Sequence, residues 1–254
     1  TQKVDRRPEL EMCHQYPLEG KRPMMTHLFK NAKGERIIAA KGAPETILEV
    51  CQLSEEDRNK IRKEIDDFGK QGYRLLGVAK SNFEGDDFPK KQQDIPFEFL
   101  GLVVFYDPPK KGISEVFRKF TEAGIKIKVI TGDNAQTTKS IAEQAGITGI
   151  SNPVNGDEIS HISEEELMKI VDQKVLFTRM FPEAKLRVIN ALKKNNEVVV
   201  MLGDGVNDGP ALKAAHIGVA MGEKGTEIAK AAAAVILTND DLGKLVTAIA
   251  AGRR

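Results

Sequence analysis

The sequence has few cysteines and no apolar run of the about 18 residues that a membrane-spanning helix requires. Two cysteines, Cys13 and Cys51, cannot supply the disulfide framework of a small secreted domain, so the composition favours a reducing, cytosolic setting. The first ten residues are polar and charged, unlike a signal peptide. The chain as given is therefore predicted to be soluble.

An excess of charge of one sign is also missing. Lysine and arginine number 38, aspartate and glutamate 37, and the formal net charge is +1. This balance argues against a nucleic-acid partner held by bulk positive charge, but it permits a local basic pocket for a phosphorylated small molecule. The 254 residues suffice for one large domain or two modest ones.

Apolar runs rich in valine and isoleucine alternate with amphipathic stretches of helix length from about residue 94 onward. One example is a predicted strand at 125–131 followed by a predicted helix at 135–145, which Gly146 ends. This alternation predicts an α/β domain with a mostly parallel, Rossmann-like sheet and helices on both faces.

The first ninety residues have a different pattern. Apolar segments at 24–29 and 37–40 flank a polar turn, which predicts a hairpin. Two predicted helices, 44–53 and 55–68, and a strand at 75–79 complete an α+β module. The charged, proline-containing stretch 81–95 is a candidate hinge or exposed loop. We therefore predict two domains, residues 1–93 and 94–254.

Three predicted strands are each followed by an aspartate: Asp107, Asp133 and Asp204. In a parallel α/β sheet, ligands bind beyond the carboxyl ends of the strands. A single aspartate there is ordinarily a helix cap. Several carboxylates on one edge repel one another unless a cation or a basic group accompanies them. The three together predict a site for a cation or a phosphate.

The segment GDGVND at 203–208 carries the sharpest signal. Its glycines permit a tight turn close to a ligand. Asp204 and Asp208 offer oxygen ligands of the kind that Mg²⁺ prefers, and Asn207 adds an amide. The alternative is an Asx-rich turn that caps the helix beginning at Gly209.

Two further segments could reach the same edge. Lys185 lies one turn into a predicted helix, where its charge could neutralise a phosphoryl group; alone, it would be an ordinary surface lysine. Thr131, Gly132 and Asp133 place a hydroxyl and backbone amides at a strand end, an arrangement suited to phosphate oxygens.

Taken in order, these segments closely resemble those of the P-type ATPases, a branch of the haloacid-dehalogenase-like phosphotransferases. The resemblance extends over nearly the whole chain and rests on KGAPE at 41–45, DPPK at 107–110, TGD at 131–133, Lys185 and GDGVND at 203–208. The KGAPE and DPP forms resemble the calcium and sodium/potassium pump branch. P-type ATPases couple ATP hydrolysis to cation transport.

The resemblance implies a haloacid-dehalogenase-like parallel sheet domain for 94–254 and an α+β nucleotide-binding domain for 1–93, with ATP and Mg²⁺ as ligands. Lys41 and Gly42 would line the ATP site, and Arg74 would contact the nucleotide phosphates. Asp204 would bind Mg²⁺ directly. The remaining residues would surround the transferred phosphoryl group or support it and the metal: Thr131, Gly132, Asp133, Lys185, Asn207 and Asp208.

The chain departs from the family pattern in two respects. The phosphorylated aspartate of the family lies in a DKTGT segment, which this sequence does not contain. The sheet would therefore lack a central strand and its nucleophile, and we expect no phosphoenzyme from this chain alone. The adenine-stacking phenylalanine of the family also has no clear match. In the intact pump, the chain would lie on the cytosolic face of a membrane. Membrane helices that this chain does not contain would carry the cation.

Two alternatives remain open from sequence. One is a soluble haloacid-dehalogenase-like phosphatase whose first domain is a cap. The other is a non-catalytic module that binds a nucleotide and Mg²⁺.

Overall fold

The computed structural model describes residues 9–18, 23–84 and 87–253, and part of the predicted hinge, residues 85 and 86, lies outside these ranges. The chain divides into two compact units, Thr1–Asp107 and Pro108–Arg254. The division differs from the predicted boundary after residue 93. The strand Glu98–Phe105 pairs antiparallel with Arg74–Ser81, so backbone hydrogen bonds tie it to the first unit.

The first unit contains an antiparallel sheet of five strands in chain order. The predicted hairpin and the predicted strand near residue 75 are both present, whereas the first strand had not been predicted. The strands are β1 (Leu10–Tyr16), β2 (Met24–Asn31), β3 (Arg36–Gly42), β4 (Arg74–Ser81) and β5 (Glu98–Phe105).

One face of this sheet is buried. Along β2, Met24, Thr26 and Leu28 are buried and the residues between them are only partly covered, as the two-residue period of a strand requires. Helix α1 (Pro44–Val50) packs beside β3 and β4, and α2 (Glu55–Lys70) contacts β4. The partly covered face carries Lys41 and Arg74.

The two cysteines of the first unit differ in accessibility. Cys13 is exposed, whereas Cys51 is buried, and burial, partly offset by Arg58, raises the pKa of Cys51 to about 11. Because the folded thiol pKa is the higher one, the stability that this thiol contributes is complete below pH 9 and is lost as pH rises towards 11. We expect iodoacetamide at pH 8 to alkylate Cys13 in the native protein and Cys51 only after unfolding, as peptide mass mapping would show. Rapid native labelling of Cys51 would contradict this burial.

The second unit contains two parallel sheets of three strands each, rather than the one sheet predicted. One sheet has the order β11-β10-β9 and the other β6-β8-β7. The parallel pairing confirms the α/β fold class. The strands are β6 (Val129–Ile130), β7 (Val154–Asn155), β8 (Leu176–Thr178), β9 (Val200–Gly203), β10 (Ile217–Met221) and β11 (Val235–Leu237).

Eight helices accompany these sheets within residues 108–253. Several begin at side chains that cap the first free amides, among them Asn134, Ser163 and Thr226. The helices are α3 (Ile113–Glu122), α4 (Ala135–Gln144), α5 (Gly156–His161), α6 (Glu164–Gln173), α7 (Pro182–Lys194), α8 (Gly209–Ala214), α9 (Glu227–Ala232) and α10 (Gly243–Gly252). None of the helices in the described ranges is long and apolar enough to span a membrane.

A mostly apolar cleft of about 310 Å³ lies where the two parallel sheets approach one another. Val129 of β6, Thr131 just after β6 and Met221 at the end of β10 all line it. Ile113 and Phe117 of α3 complete much of its apolar wall. The cleft therefore separates β6 from the sheet that contains β9 and β10.

Candidate functional site

The GDGVND segment forms a closed loop at the carboxyl end of β9. The side chain of Asp208 folds back so that its Oδ2 accepts hydrogen bonds from the amides of Asp204 and Gly205, both at 3.2 Å. Gly203 makes room for this, because a Cβ added there would lie 2.6 Å from the Cβ of Asp208. The glycine is thus required by the close approach of Asp208.

Lys185 contacts this loop from helix α7. Its Nζ donates to Oδ1 of Asp208 at 2.6 Å, and the two side chains are only 11% and 10% exposed. Pro182 begins α7, which places Lys185 in the first turn, near the end of β8. One carboxylate thus accepts from a buried ammonium and two backbone amides.

Asp204 differs from Asp208 in that its side chain faces solvent. Its backbone is held at both ends, since its amide donates to Asp208 and its carbonyl accepts from the amide of Thr226 at 2.8 Å. Within the described residues, the structure records no hydrogen bond to its carboxylate. The neighbouring Asn207 is also exposed.

The donor set around Asp204 fits Mg²⁺ better than a metal that needs a full protein cage. The described ranges contain no group of three or more histidine, cysteine, aspartate or glutamate residues able to hold a metal. Mg²⁺ typically takes one or two carboxylates and completes its shell with water and phosphate oxygens. Asp204 can provide such a carboxylate. Asp208, predicted as a second ligand, is instead engaged with Lys185 and the loop amides.

Thr131, Gly132 and Asp133 follow β6 and turn into α4. The Oγ1 of Thr131 accepts the amide of Asp133 at 3.1 Å, and the carbonyl of Asp133 accepts the amide of Arg179 at 2.9 Å. A Cβ on Gly132 would meet only the carbonyl of Met180, at 3.7 Å, so the backbone there is open to a ligand. Thr131 and Asp133 line the apolar cleft.

The expectation for Asp107 was wrong. Asp107 follows β5, which belongs to the antiparallel sheet of the first unit, so it does not follow a parallel strand. Only Asp133 and Asp204 of the three predicted acids follow parallel strands.

The residues predicted to bind nucleotide all lie in the first unit. Lys41 is exposed near the end of β3 and pairs with Val78 of β4. Arg74 lies four residues before Val78 on the same strand. The two-residue period places both side chains on the open face, about 13 Å apart along the strand direction. Gly42 is buried against β2, where only a glycine fits, because a Cβ there would lie 2.7 Å from the Cα of Met24.

Asp240 and Lys110 were not among the predicted site residues. Asp240 is only 2% exposed and has a left-handed backbone, with φ of 52°. Its carbonyl accepts a 2.8 Å hydrogen bond from Nζ of Lys110, a residue of the DPPK segment. Both line the cleft beside Asp133. No sequence signal links them, since 130 positions separate them.

Comparison with known proteins agrees with the α/β fold. A family model described as haloacid dehalogenase-like hydrolase matches residues 17–216. The chain belongs to this family. Its parallel sheets and the loop after β9 are the parts of the α/β fold on which the site is built.

Curated relatives are P-type ATPases. The chain is 33% identical to a calcium-transporting ATPase of Bacillus subtilis over 95% of this chain and 28% of the relative. It is 38% identical to calcium-transporting ATPase type 2C member 1 of Homo sapiens over 84% of this chain and 23% of that protein. It is 34% identical to a sodium/potassium exporting P-type ATPase of Schizosaccharomyces pombe over 94% of this chain and 25% of that protein. The chain thus spans about a quarter of the length of these relatives.

Proposed function

We propose that this chain is the ATP-binding and Mg²⁺-dependent phosphoryl-transfer portion of a P-type ATPase that couples ATP hydrolysis to cation transport. The observation that carries the proposal is the buried contact between Lys185 and Asp208 beneath the exposed carboxylate of Asp204. Similarity to cation-transporting ATPases over most of the chain supports it.

The site in the second unit stabilises charge on a transferred phosphoryl group. Phosphoryl transfer depends mainly on positioning and on electrostatic stabilisation, and Mg²⁺ neutralises charge on the phosphate oxygens. Asp204 holds the metal, and Asn207 and Asp208 support the loop and the phosphate. Lys185 supplies positive charge, while Thr131, Gly132 and Asp133 surround the phosphoryl oxygens.

The nucleotide site lies on the open face of the antiparallel sheet in the first unit. Lys41 and Arg74 share this face and provide positive charge for the phosphates of ATP. Gly42, the last residue of β3, packs closely against Met24 of β2, next to the exposed Lys41.

The reactive aspartate is not part of this chain. The sequence contains no DKTGT segment, and a cleft of about 310 Å³ lies between β6 and the sheet that contains β9 and β10. We propose that a strand carrying the aspartate completes the sheet in a longer protein, in which the chain lies on the cytosolic face of the membrane and a membrane region carries the cation.

Incubation with γ-labelled ATP and Mg²⁺ tests the missing nucleophile directly. We expect no acid-stable label on the 254-residue chain, because it contains no DKTGT segment to supply the nucleophile. Acid-stable label would contradict the inactive-fragment proposal. Mg²⁺-dependent hydrolysis of p-nitrophenyl phosphate that is lost in Asp204→Asn would instead favour the soluble phosphatase.

Replacement of Lys41 tests the nucleotide site. We expect Lys41→Gln to weaken binding of a fluorescent ATP analogue roughly 10- to 150-fold, because one charge-assisted contact to phosphate contributes about 1.5–3 kcal/mol. Lys33→Gln is the matched control, since Lys33 is an exposed lysine in the turn between β2 and β3. Equal effects of the two substitutions, measured by fluorescence titration, would refute a specific site at Lys41.

A further inference from the structure

The carboxylate of Asp240 organises a loop that lies outside every motif recognised in the sequence. It accepts hydrogen bonds from the amides of Glu223 and Lys224, both at 3.1 Å. Asp240 follows β11, whereas Glu223 and Lys224 follow β10, so the contact joins the ends of two neighbouring parallel strands. A buried carboxylate that accepts two backbone amides fixes the conformation of the segment that donates them.

The same loop leads directly to Asp204. Two residues after Lys224, the amide of Thr226 donates to the carbonyl of Asp204 at 2.8 Å. The hydroxyl of Thr226 accepts the amide of Ala229 and so begins α9, which contacts α8 and the turn at 206–208. Displacement of the 222–226 loop would therefore move one of the two backbone anchors of Asp204.

The loop has little room to rearrange. A Cβ on Gly222 would lie 2.7 Å from the carbonyl oxygen of Leu237, and one on Gly225 would collide with the carbonyl of Met221. Both glycines thus permit close backbone packing. A change at one end of so short and tightly packed a loop is transmitted to the other end, because packed backbone cannot absorb it locally.

Lys110 contacts the backbone of Asp240. Its ammonium donates to the carbonyl of Asp240 at 2.8 Å. Burial raises the pKa of Asp240, but hydrogen bonds from the amides of Glu223, Lys224 and Gly222, with the charge of Lys110, outweigh that effect and lower the pKa below its usual value. The carboxylate is therefore ionised, in the form that accepts both loop amides.

We propose that Asp240 is a positioning residue for Asp204, acting through the backbone of residues 222–226. The inference rests on the proposed function in one respect, namely that Asp204 binds a divalent cation. Asp240 itself touches neither the metal nor the phosphoryl group in this scheme. Its effect passes through the amide of Thr226 to the carbonyl of Asp204.

Asp240→Asn tests the proposal, because asparagine keeps the shape but presents an NH₂ group to one of the loop amides. We expect the affinity for Mn²⁺, a probe for Mg²⁺ followed by electron paramagnetic resonance, to fall at least fivefold. We also expect amide hydrogen exchange at Thr226, followed by NMR, to accelerate at least tenfold in the metal-free protein. Asp241→Asn is the control, since Asp241 is exposed and, among the described residues, its side chain accepts only the nearby amide of Gly243.

Two further variants separate the possible outcomes. If Asp204→Asn leaves Mn²⁺ affinity unchanged, the proposed metal site fails, and hydrogen exchange at Thr226 still decides whether Asp240 positions the loop. If Asp204→Asn abolishes binding while Asp240→Asn matches Asp241→Asn in both measurements, the positioning role is overturned. Should Asp240→Asn not fold, Lys110→Met removes the other anchor of Asp240 and is expected to cause the same changes in milder form. No change in Lys110→Met would then overturn the proposal.

Discussion

Lys185→Met is expected to destabilise the second unit by about 3–5 kcal/mol, the usual result of removing one partner from a buried ion pair. The cost arises because Asp208 remains buried after its ammonium partner is removed, with only the amides of Asp204 and Gly205 as donors. Lys194→Met is the matched control. Lys194 lies on the same helix but pairs with Glu164 at the exposed surface, where an ion pair contributes only about 0–1 kcal/mol.

Urea denaturation can assign this loss to the correct unit. All three tyrosines, Tyr16, Tyr73 and Tyr106, lie in the first unit and the chain has no tryptophan, so tyrosine fluorescence reports on that unit alone. Circular dichroism at 222 nm reports on both units. We expect Lys185→Met to shift the circular dichroism transition while the tyrosine transition stays near that of the wild type.

A double-mutant cycle measures the ion pair itself. Asp208→Asn retains an oxygen for the loop amides but removes the charge, so Lys185→Met combined with Asp208→Asn leaves no unpaired buried ion. We expect a coupling of about 0.5–3 kcal/mol between the two positions. Strict additivity of the single effects would mean that the 2.6 Å contact contributes nothing of its own to stability.

Gly203→Ala is expected to have the second large effect. The added methyl carbon would lie 2.6 Å from Cβ and 2.9 Å from Oδ2 of Asp208, so it must displace the side chain that closes the loop. Forcing an extra methyl group into packed structure typically costs about 1–3 kcal/mol. We also expect a loss of Mn²⁺ affinity of at least tenfold, measured by electron paramagnetic resonance, because Asp204 depends on the same loop.

Gly205→Ala provides the control for this prediction. A Cβ at Gly205 would meet Oδ2 of Asp208 only at 3.6 Å, an ordinary contact, and φ of −101° is open to alanine. The two substitutions add the same atom to the same loop two residues apart. Similar stability and similar Mn²⁺ affinity for both variants would show that the fold of the Asp208 side chain does not control the site.

Most of the secondary structure could be predicted from local patterns. Lys185 was predicted to lie one turn into a helix, and the structure shows α7 (Pro182–Lys194), which Pro182 begins. The strand predicted at 75–79 likewise lies within β4. The short β7 and helix α5 were not predicted, because a strand of two residues and a helix of six residues carry too little periodicity.

The boundary between the units was predicted poorly for a different reason. The segment at 98–105 is an apolar strand in either unit, and its sequence does not reveal which neighbour it pairs with. Its antiparallel hydrogen bonds with β4 place it in the first unit, so Asp107 does not follow a parallel strand. Strand pairing is a long-range property, and local sequence does not encode it.

The sequence by itself determined the chemistry available to this protein: the glycines and carboxylates of GDGVND, the lysine at 185 and the absence of DKTGT are all matters of residue identity. Tertiary structure alone decided how the two aspartates of that loop differ. Asp208 folds back onto Lys185 and the loop amides, while Asp204 faces solvent. It also brought Asp240 to the loop at 222–226, because packing of neighbouring parallel strands joins residues that sequence distance keeps apart.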